Sequence, residues 1–109
     1  MAQTLGVIVP CRNEAAVIAR KLANLALCEW PPGARPHRIV VIDDGSNDGT
    51  AEVARRACSH FASARVQVDV VANAIRPGKS GAIAQGLATL ADAVDIVVLT
   101  DADVVVAPV

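Results

Sequence analysis

Aromatic residues are almost absent from this chain of 109 residues, which has one Trp, one Phe and no Tyr. The bases of a single-stranded nucleic acid would therefore find few side chains on which to stack. An excess of charge of one sign is lacking as well, because 10 basic and 11 acidic residues leave a net charge of -1. Such a balance gives no electrostatic footprint for nucleic acid, and we expect no nucleic-acid partner.

Cysteines are few, and long apolar runs are missing. Cys11, Cys28 and Cys58 are odd in number and form no CxxC motif, which favours reduced thiols and a cytoplasmic location. No run approaches the ~20 apolar residues of a membrane span, and the first residues lack the basic and apolar regions of a signal peptide. A longer protein could still be attached to a membrane through segments beyond residue 109.

Hydrophobic residues make up 53% of the chain, and charged residues make up only 19%. Apolar residues at helical spacing separate short runs rich in Val and Ile, and this alternation predicts an α/β fold. We expect a Rossmann-like, doubly wound and mainly parallel sheet of about four strands. The predicted strands are Leu5 to Pro10, Arg38 to Asp43, Val66 to Ala72, and Asp95 to Thr100. The predicted helices carry the stripes Ile18, Leu22, Leu25; Val53, Ala57, Phe61; and Ile83, Leu87, Leu90.

The third run is interrupted by Gln67 and Asp69, which predicts an edge strand. If the strand order is 3-2-1-4, the order reverses between strands 1 and 4. Ligands of such sheets bind beyond the carboxyl ends of the strands at this reversal. The residues after Val9 and Leu99 should then line a crevice.

Asp101 and Asp103 flank Ala102 directly after the fourth run. Two carboxylates at one strand end repel each other unless a cation or hydrogen-bond donors neutralise them. Oxygen ligands of this kind suit Mg²⁺ or Mn²⁺, whose coordination is commonly completed by substrate phosphates. The pair is thus a candidate metal site.

Asp43 and Asp44 precede Gly45 and Ser46 after the second run. Asp, Gly and Ser are the residues expected of a tight turn, for which a single Asp suffices. We expect one aspartate to serve the turn and the other to accept a hydrogen bond from a base N–H or a ribose hydroxyl.

Pro77, Gly78, Lys79 and Ser80 open the third helix, where free backbone N–H groups and a lysine favour a phosphate. The Gly-Lys-Ser sequence also raises the alternative of a P-loop nucleotide hydrolase. That motif requires a glycine five residues before Gly78, and the residue there is Asn73. A P-loop also leaves the aspartates at 43 and 44 unexplained.

Three segments together resemble the family 2 glycosyltransferases. Residues 7–14, VIVPCRNE, are similar to the family's opening V-I-I-P-x-x-N-E. Residues 41–50, VIDDGSNDGT, are very similar to its V-D-D-G-S-x-D-G-T, and residues 100–103, TDAD, match its x-D-x-D. The order and spacing agree over nearly the whole chain. One departure is Gln85, where the family more often has Asn.

The resemblance implies a GT-A fold, a nucleotide-sugar donor, which we expect to be a UDP-sugar, and Mn²⁺ or Mg²⁺ as cofactor. It implies that the aspartates at 43 and 44, together with the loop after the first strand, hold uracil and ribose; the residues of that loop are Pro10, Arg12, Asn13 and Glu14. By the same resemblance Lys79 lies near the donor phosphates, and Asp101 with Asp103 binds ribose and the metal.

Residues 1–109 are accordingly expected to form the donor-binding half of a GT-A domain, with an unidentified acceptor and an acidic general base supplied beyond Val109. A catalytically silent nucleotide-binding module remains an alternative. We also expect self-association through the open edge of the sheet, because unpaired backbone groups at an edge strand can pair with another copy.

Overall fold

A computed structural model describes residues 3–27, 34–61, 66–91 and 93–102. Within these ranges four strands alternate with three helices. These are β1 (Gln3–Cys11), α1 (Ile18–Leu27), β2 (Ala34–Asp43), α2 (Thr50–Phe61), β3 (Gln67–Ala72), α3 (Lys79–Leu90) and β4 (Ile96–Leu99).

The four strands form one sheet in the order β3-β2-β1-β4. All three pairings are parallel, with Val9 opposite Val41, Val41 opposite Val70, and Val7 opposite Val98. The predicted fold class is confirmed, and the strand order is the one on which the predicted crevice depends. Because β1 lies in the centre, its carboxyl end is next to those of β2 and β4, where the polar loops follow.

Residues of β1 are buried on both faces of the sheet, which explains the continuous apolar run. Val7 and Val9 belong to the core under α1 and α2, whereas Ile8 belongs to the core under α3. All three are fully buried. A strand covered by helices on both sides cannot alternate apolar with polar residues.

The α3 side is packed more closely than an ordinary helix–strand contact. A Cβ added at Gly86 would lie 2.6 Å from Ile8 Cγ2, and one added at Gly6 would lie 2.8 Å from Leu90 Cδ1. Only glycine allows this approach without displacing the neighbouring side chain. The close contact brings the start of α3 to the carboxyl ends of β1 and β2.

The two edge strands differ in how they are covered. Asp69 of β3 pairs with Arg38 of β2 at 2.9 Å, and Arg38 also donates to the carbonyl of Thr89 at the end of α3. On β4, the large side chains of Ile96, Val97 and Leu99 are 37%, 40% and 53% exposed.

No helix in the described ranges is long and apolar enough to cross a membrane.

Candidate donor-binding site

The loops that follow β1, β2 and β3 meet at one edge of the sheet. The ladder continues past the strand ends, since Asp44 N–H donates to Cys11 O and Asn73 N–H donates to Asp43 O, each at 2.9 Å. Thr100 N–H likewise donates to Ile8 O at 3.1 Å. A cleft of about 440 Å³ opens there; it is lined by Pro10, Cys11, Arg12, Glu14, Asp44, Gly78, Lys79, Ala82 and Asp101.

Most residues that the sequence assigns to donor binding line this cleft, and two do not. Pro10, Arg12, Glu14, Asp44, Lys79 and Asp101 are among the lining residues, whereas Asn13 and Asp43 are not. The predicted metal ligand Asp103 lies outside the described residues. Within the described ranges no group of three or more His, Cys, Asp or Glu side chains is placed to hold a metal.

Asn13 connects the loop after β1 to the loop after β2 through hydrogen bonds. Its backbone has a φ of 54°, a conformation that Asn tolerates better than most residues. Its N–H donates to Ser46 Oγ, and its Oδ1 accepts from Asn47 N–H, each at 2.9 Å. Glu14 N–H donates to Thr50 Oγ1, also at 2.9 Å. The loop after β1 is therefore held against the loop after β2.

The two adjacent aspartates have different neighbours. Asp43 Oδ1 accepts from Ser46 N–H at 3.1 Å and so closes the turn after β2. Asp44 instead accepts from Asn73 Nδ2 at 2.8 Å and from Gly78 N–H at 3.0 Å. It thus holds the loop after β3 as well as facing the cleft. A carboxylate offers about four acceptor positions, so Asp44 retains capacity for a ligand.

A second cleft of about 380 Å³ adjoins the first on the side of β3 and shares Arg12 and Asp44 with it. Its other lining residues are Gly45, Asn73, Ala74, Ile75, Arg76 and Pro77. Gln85 Oε1 accepts from Ala74 N–H at 3.0 Å, so α3 shapes this loop. The sequence motifs did not single out Asn73 as a site residue; an Asn directly after a strand was the available signal.

Lys79 and Asp101 both line the first cleft and form an ion pair, with Nζ 2.6 Å from Oδ1. Their side chains are 64% and 46% exposed, so both remain accessible to a ligand. Gly78 precedes α3 with a φ of 103°, a conformation that strains any side chain. A lysine, a helix N-terminus and a carboxylate thus face one space, a combination suited to a diphosphate with a cation.

Negative charge around β1 affects a buried thiol in the wall of the cleft. Burial, followed by the charges of Asp43, Glu14, Asp48 and Asp44, raises the pKa of Cys11 to about 12. The thiol is therefore protonated at neutral pH and is not a nucleophile. The pKa of Asp48 is lowered, chiefly because the Thr50 hydroxyl donates to its carboxylate.

Lys21 is a second polar residue near the site, besides Asn73, that the motifs missed. It is 1% exposed, and its Nζ donates to Thr100 Oγ1 at 2.6 Å, next to Asp101. The signal in the sequence is a lysine between Ile18, Leu22 and Leu25, the predicted apolar stripe of α1.

Comparisons with known proteins agree with this geometry. The family model described as "Glycosyl transferase family 2" matches residues 6–109. A human dolichyl-phosphate beta-glucosyltransferase is 32% identical over 87 residues, which are 76% of this chain and 26% of that protein. The P-loop alternative is not favoured by these matches.

Solved structures of similar fold carry nucleotides and metals. The mannosyltransferase of Pyrobaculum calidifontis, in complex with GDP-Man and Mn²⁺, superposes with a TM-score of 0.77 at 33% identity, covering 94% of this chain and 28% of that one. The glucosyl-3-phosphoglycerate synthase of Mycobacterium tuberculosis, with Mn²⁺, UDP and glucosyl-3-phosphoglycerate, gives 0.72 at 27% identity, covering 93% and 34%. The chain thus spans about a third or less of each relative.

Proposed function

The chain belongs to glycosyl transferase family 2, and we propose that it binds the nucleoside diphosphate of a sugar donor, with UDP as the preferred nucleotide. The observation that carries the proposal is the cleft in which Asp44, Lys79 and Asp101 converge. In this proposal the longer protein transfers the sugar to an acceptor whose chemistry the described residues do not specify.

The charged groups of the cleft indicate where the diphosphate and the metal of the donor would lie. The diphosphate lies against Lys79 and the start of α3, because an ammonium and helix N–H groups both favour an anion. Asp101 would hold Mn²⁺ or Mg²⁺, and we assign Asp103 as a further ligand. When bound, the metal would supply positive charge next to the leaving diphosphate.

The oxygen chemistry of the cleft fits such a metal. Asp101 is half exposed, with its carboxylate directed at the cationic Lys79, so a cation is already a partner of the same oxygen. Hard carboxylate oxygens are the ligands that Mg²⁺ and Mn²⁺ prefer, and both metals leave positions for substrate phosphates.

The nucleoside is proposed to occupy the side of the cleft nearest β3. Asp44 lies between the two clefts and can accept from the imide N–H of uracil. Adenine offers an exocyclic amine in a different position, so ADP should bind less well. Asp43 is already engaged in its turn and is proposed to act indirectly, by holding the loop.

A displacement titration with UDP, GDP and ADP in the presence of Mn²⁺ tests this assignment. UDP should bind most tightly, and Asp44→Ala should lose more of the preference than Asp43→Ala. GDP binding as tightly as UDP would refute the uracil assignment, and ADP binding best would refute the proposed donor class. Metal-dependent UDP binding by a full-length protein that transfers no sugar from UDP-sugars would favour the silent module.

Self-association is also part of the proposal. The side chains of Ile96, Val97 and Leu99 on the edge strand β4 are 37% to 53% exposed, and an edge strand can add a strand from another copy. Light scattering across a concentration series should show dimers or larger species, and Val97→Lys should reduce them. A monomer at all concentrations would contradict this part.

A further inference from the structure

Lys21 is a buried charge in an otherwise apolar helix face. It lies between Ile18, Leu22 and Leu25 on α1, and all four side chains are at most 2% exposed. Burial disfavours an ammonium by several kcal/mol in general, so a lysine in such a stripe needs a polar environment for its head. Its Nζ donates to Thr100 Oγ1 at 2.6 Å. The contact joins α1 to the segment that directly follows β4.

Residues on either side of Asp101 are held toward the α1 side of the sheet. Thr100 is held through Lys21, and Ala102 is 3% exposed within the core cluster that contains Leu22 and Val9. Asp101 is directed the other way, toward Lys79 of α3 and into the cleft. The orientation of Asp101 is thus set by its two neighbours, which are anchored on the opposite side.

We propose that Lys21 is a positioning residue for the acidic segment that starts at Thr100, and that its contact with Thr100 Oγ1 keeps the Asp101 carboxylate turned into the cleft. Where the site binds a metal and a donor diphosphate, a proposal on which this one rests, Lys21 contributes to their affinity without touching either. Groups that orient metal ligands commonly alter metal affinity ~10- to 100-fold when removed.

Apolar packing gives no reason for a lysine at this position. Lys21→Met would continue the apolar stripe of α1 and keep the length of the side chain, but it would leave the Thr100 hydroxyl without the Lys21 donor. Removing one partner of a buried polar contact is destabilising. The head group of Lys21 is therefore explained by its polar contact and not by the apolar core.

The test compares Lys21→Met, Thr100→Val and Thr100→Ser, with Arg20→Met as a matched control because Arg20 is an exposed residue of the same helix. The first readout is hydrogen exchange of the Thr100 amide, whose N–H donates to Ile8 O, relative to the amides of β2. In Lys21→Met and Thr100→Val we expect this amide to exchange about ten-fold faster while those of β2 are unchanged. Thr100→Ser keeps the hydroxyl and should behave as wild type.

The second readout is the ratio of UDP affinity with Mn²⁺ to UDP affinity with EDTA. It should fall about ten-fold in Lys21→Met and Thr100→Val and stay constant in Thr100→Ser and Arg20→Met. Equal acceleration of exchange throughout the sheet, or an unchanged Thr100 amide, would overturn the positioning role. A wild type without Mn²⁺-dependent binding would refute the proposed donor site instead, and the exchange data would still decide the role of Lys21. If Lys21→Met does not fold, the two Thr100 variants decide it.

Discussion

Replacing Lys79 with Met should change metal binding and nucleotide binding in opposite directions. Lys79 Nζ lies 2.6 Å from Asp101 Oδ1, so the ammonium competes with any cation for that oxygen. A Coulomb energy at this distance in water is about 1.6 kcal/mol. Because the side chains are 64% and 46% exposed, side-chain entropy and screening reduce the net value to about 0.5 to 1 kcal/mol.

Removal of this competitor should raise the affinity of the chain alone for Mn²⁺ by about two- to five-fold. The same variant loses the ammonium that faces the diphosphate. A hydrogen bond to a charged group contributes about 1.5 kcal/mol or more, so UDP affinity should fall about ten-fold or more. The stability of the fold should hardly change, since an exposed ion pair contributes little to it.

Calorimetric titrations of Mn²⁺ without nucleotide, and of UDP with saturating Mn²⁺, measure the two effects. Arg55→Met is the charge-matched control, because Arg55 is an exposed residue of α2. The gain in Mn²⁺ affinity should disappear near about 1 M NaCl, where the screening length is ~3 Å. Weaker Mn²⁺ binding by Lys79→Met, or unchanged UDP binding, would refute the shared position of metal and diphosphate.

Two substitutions and one labelling measurement test the packing, a buried thiol and the loops. Gly86→Ala places a Cβ 2.6 Å from Ile8 Cγ2. The free energy of unfolding, measured in urea, should fall by about 1 to 2 kcal/mol, because overpacking outweighs the ~1 kcal/mol gain in helix propensity. A stabilised variant would contradict this contact. Cys11, with a pKa raised from 9.0 to about 12, should resist alkylation at about pH 8 until the chain unfolds. Because the unfolded thiol ionises first, stability should fall as the pH rises from 9.0 towards 12, and rapid labelling of the folded chain would contradict its burial. Asn73→Ala removes a donor to Asp44. UDP binding should weaken about three-fold, which corresponds to the roughly 0.7 kcal/mol expected of a lost hydrogen bond, while Mn²⁺ affinity should not change. An equal loss of both affinities would contradict this.

Much of the fold could be predicted from periodicity alone. Continuous runs such as Val7 to Val9 indicated strands covered on both faces, and Gln67 and Asp69 indicated the edge position that β3 occupies. The boundaries were less accurate. β1 and β2 begin earlier than the apolar runs, at Gln3 and Ala34, because these two residues pair with each other across the sheet. Such pairing depends on the partner strand and is not visible in either segment by itself.

The site was predictable in location and less so in detail. Polar residues after parallel strands must meet at one edge, which is why Arg12, Asp44 and Asp101 line one cleft. The different hydrogen-bond partners of Asp43 and Asp44 could not be predicted, because they depend on loops distant in sequence. Asp44, for example, accepts from the N–H of Gly78, 34 residues away. A helical stripe likewise cannot show that Lys21 reaches Thr100, because that contact requires the arrangement of α1 and β4.

Calorimetric titration of UDP into the wild-type chain and into Asp101→Asn, each with Mn²⁺ and again with EDTA, tests whether the cleft is a metal-dependent donor site. The cleft predicts that wild type binds UDP about ten-fold or more tightly with Mn²⁺ than with EDTA, because Asp101 and the diphosphate share the metal. Asp101→Asn should bind UDP with nearly the same, weaker affinity in both conditions. Equal UDP affinity for wild type with Mn²⁺ and with EDTA, or an unchanged Mn²⁺ effect in Asp101→Asn, would contradict the assignment of this cleft as a metal-dependent donor site.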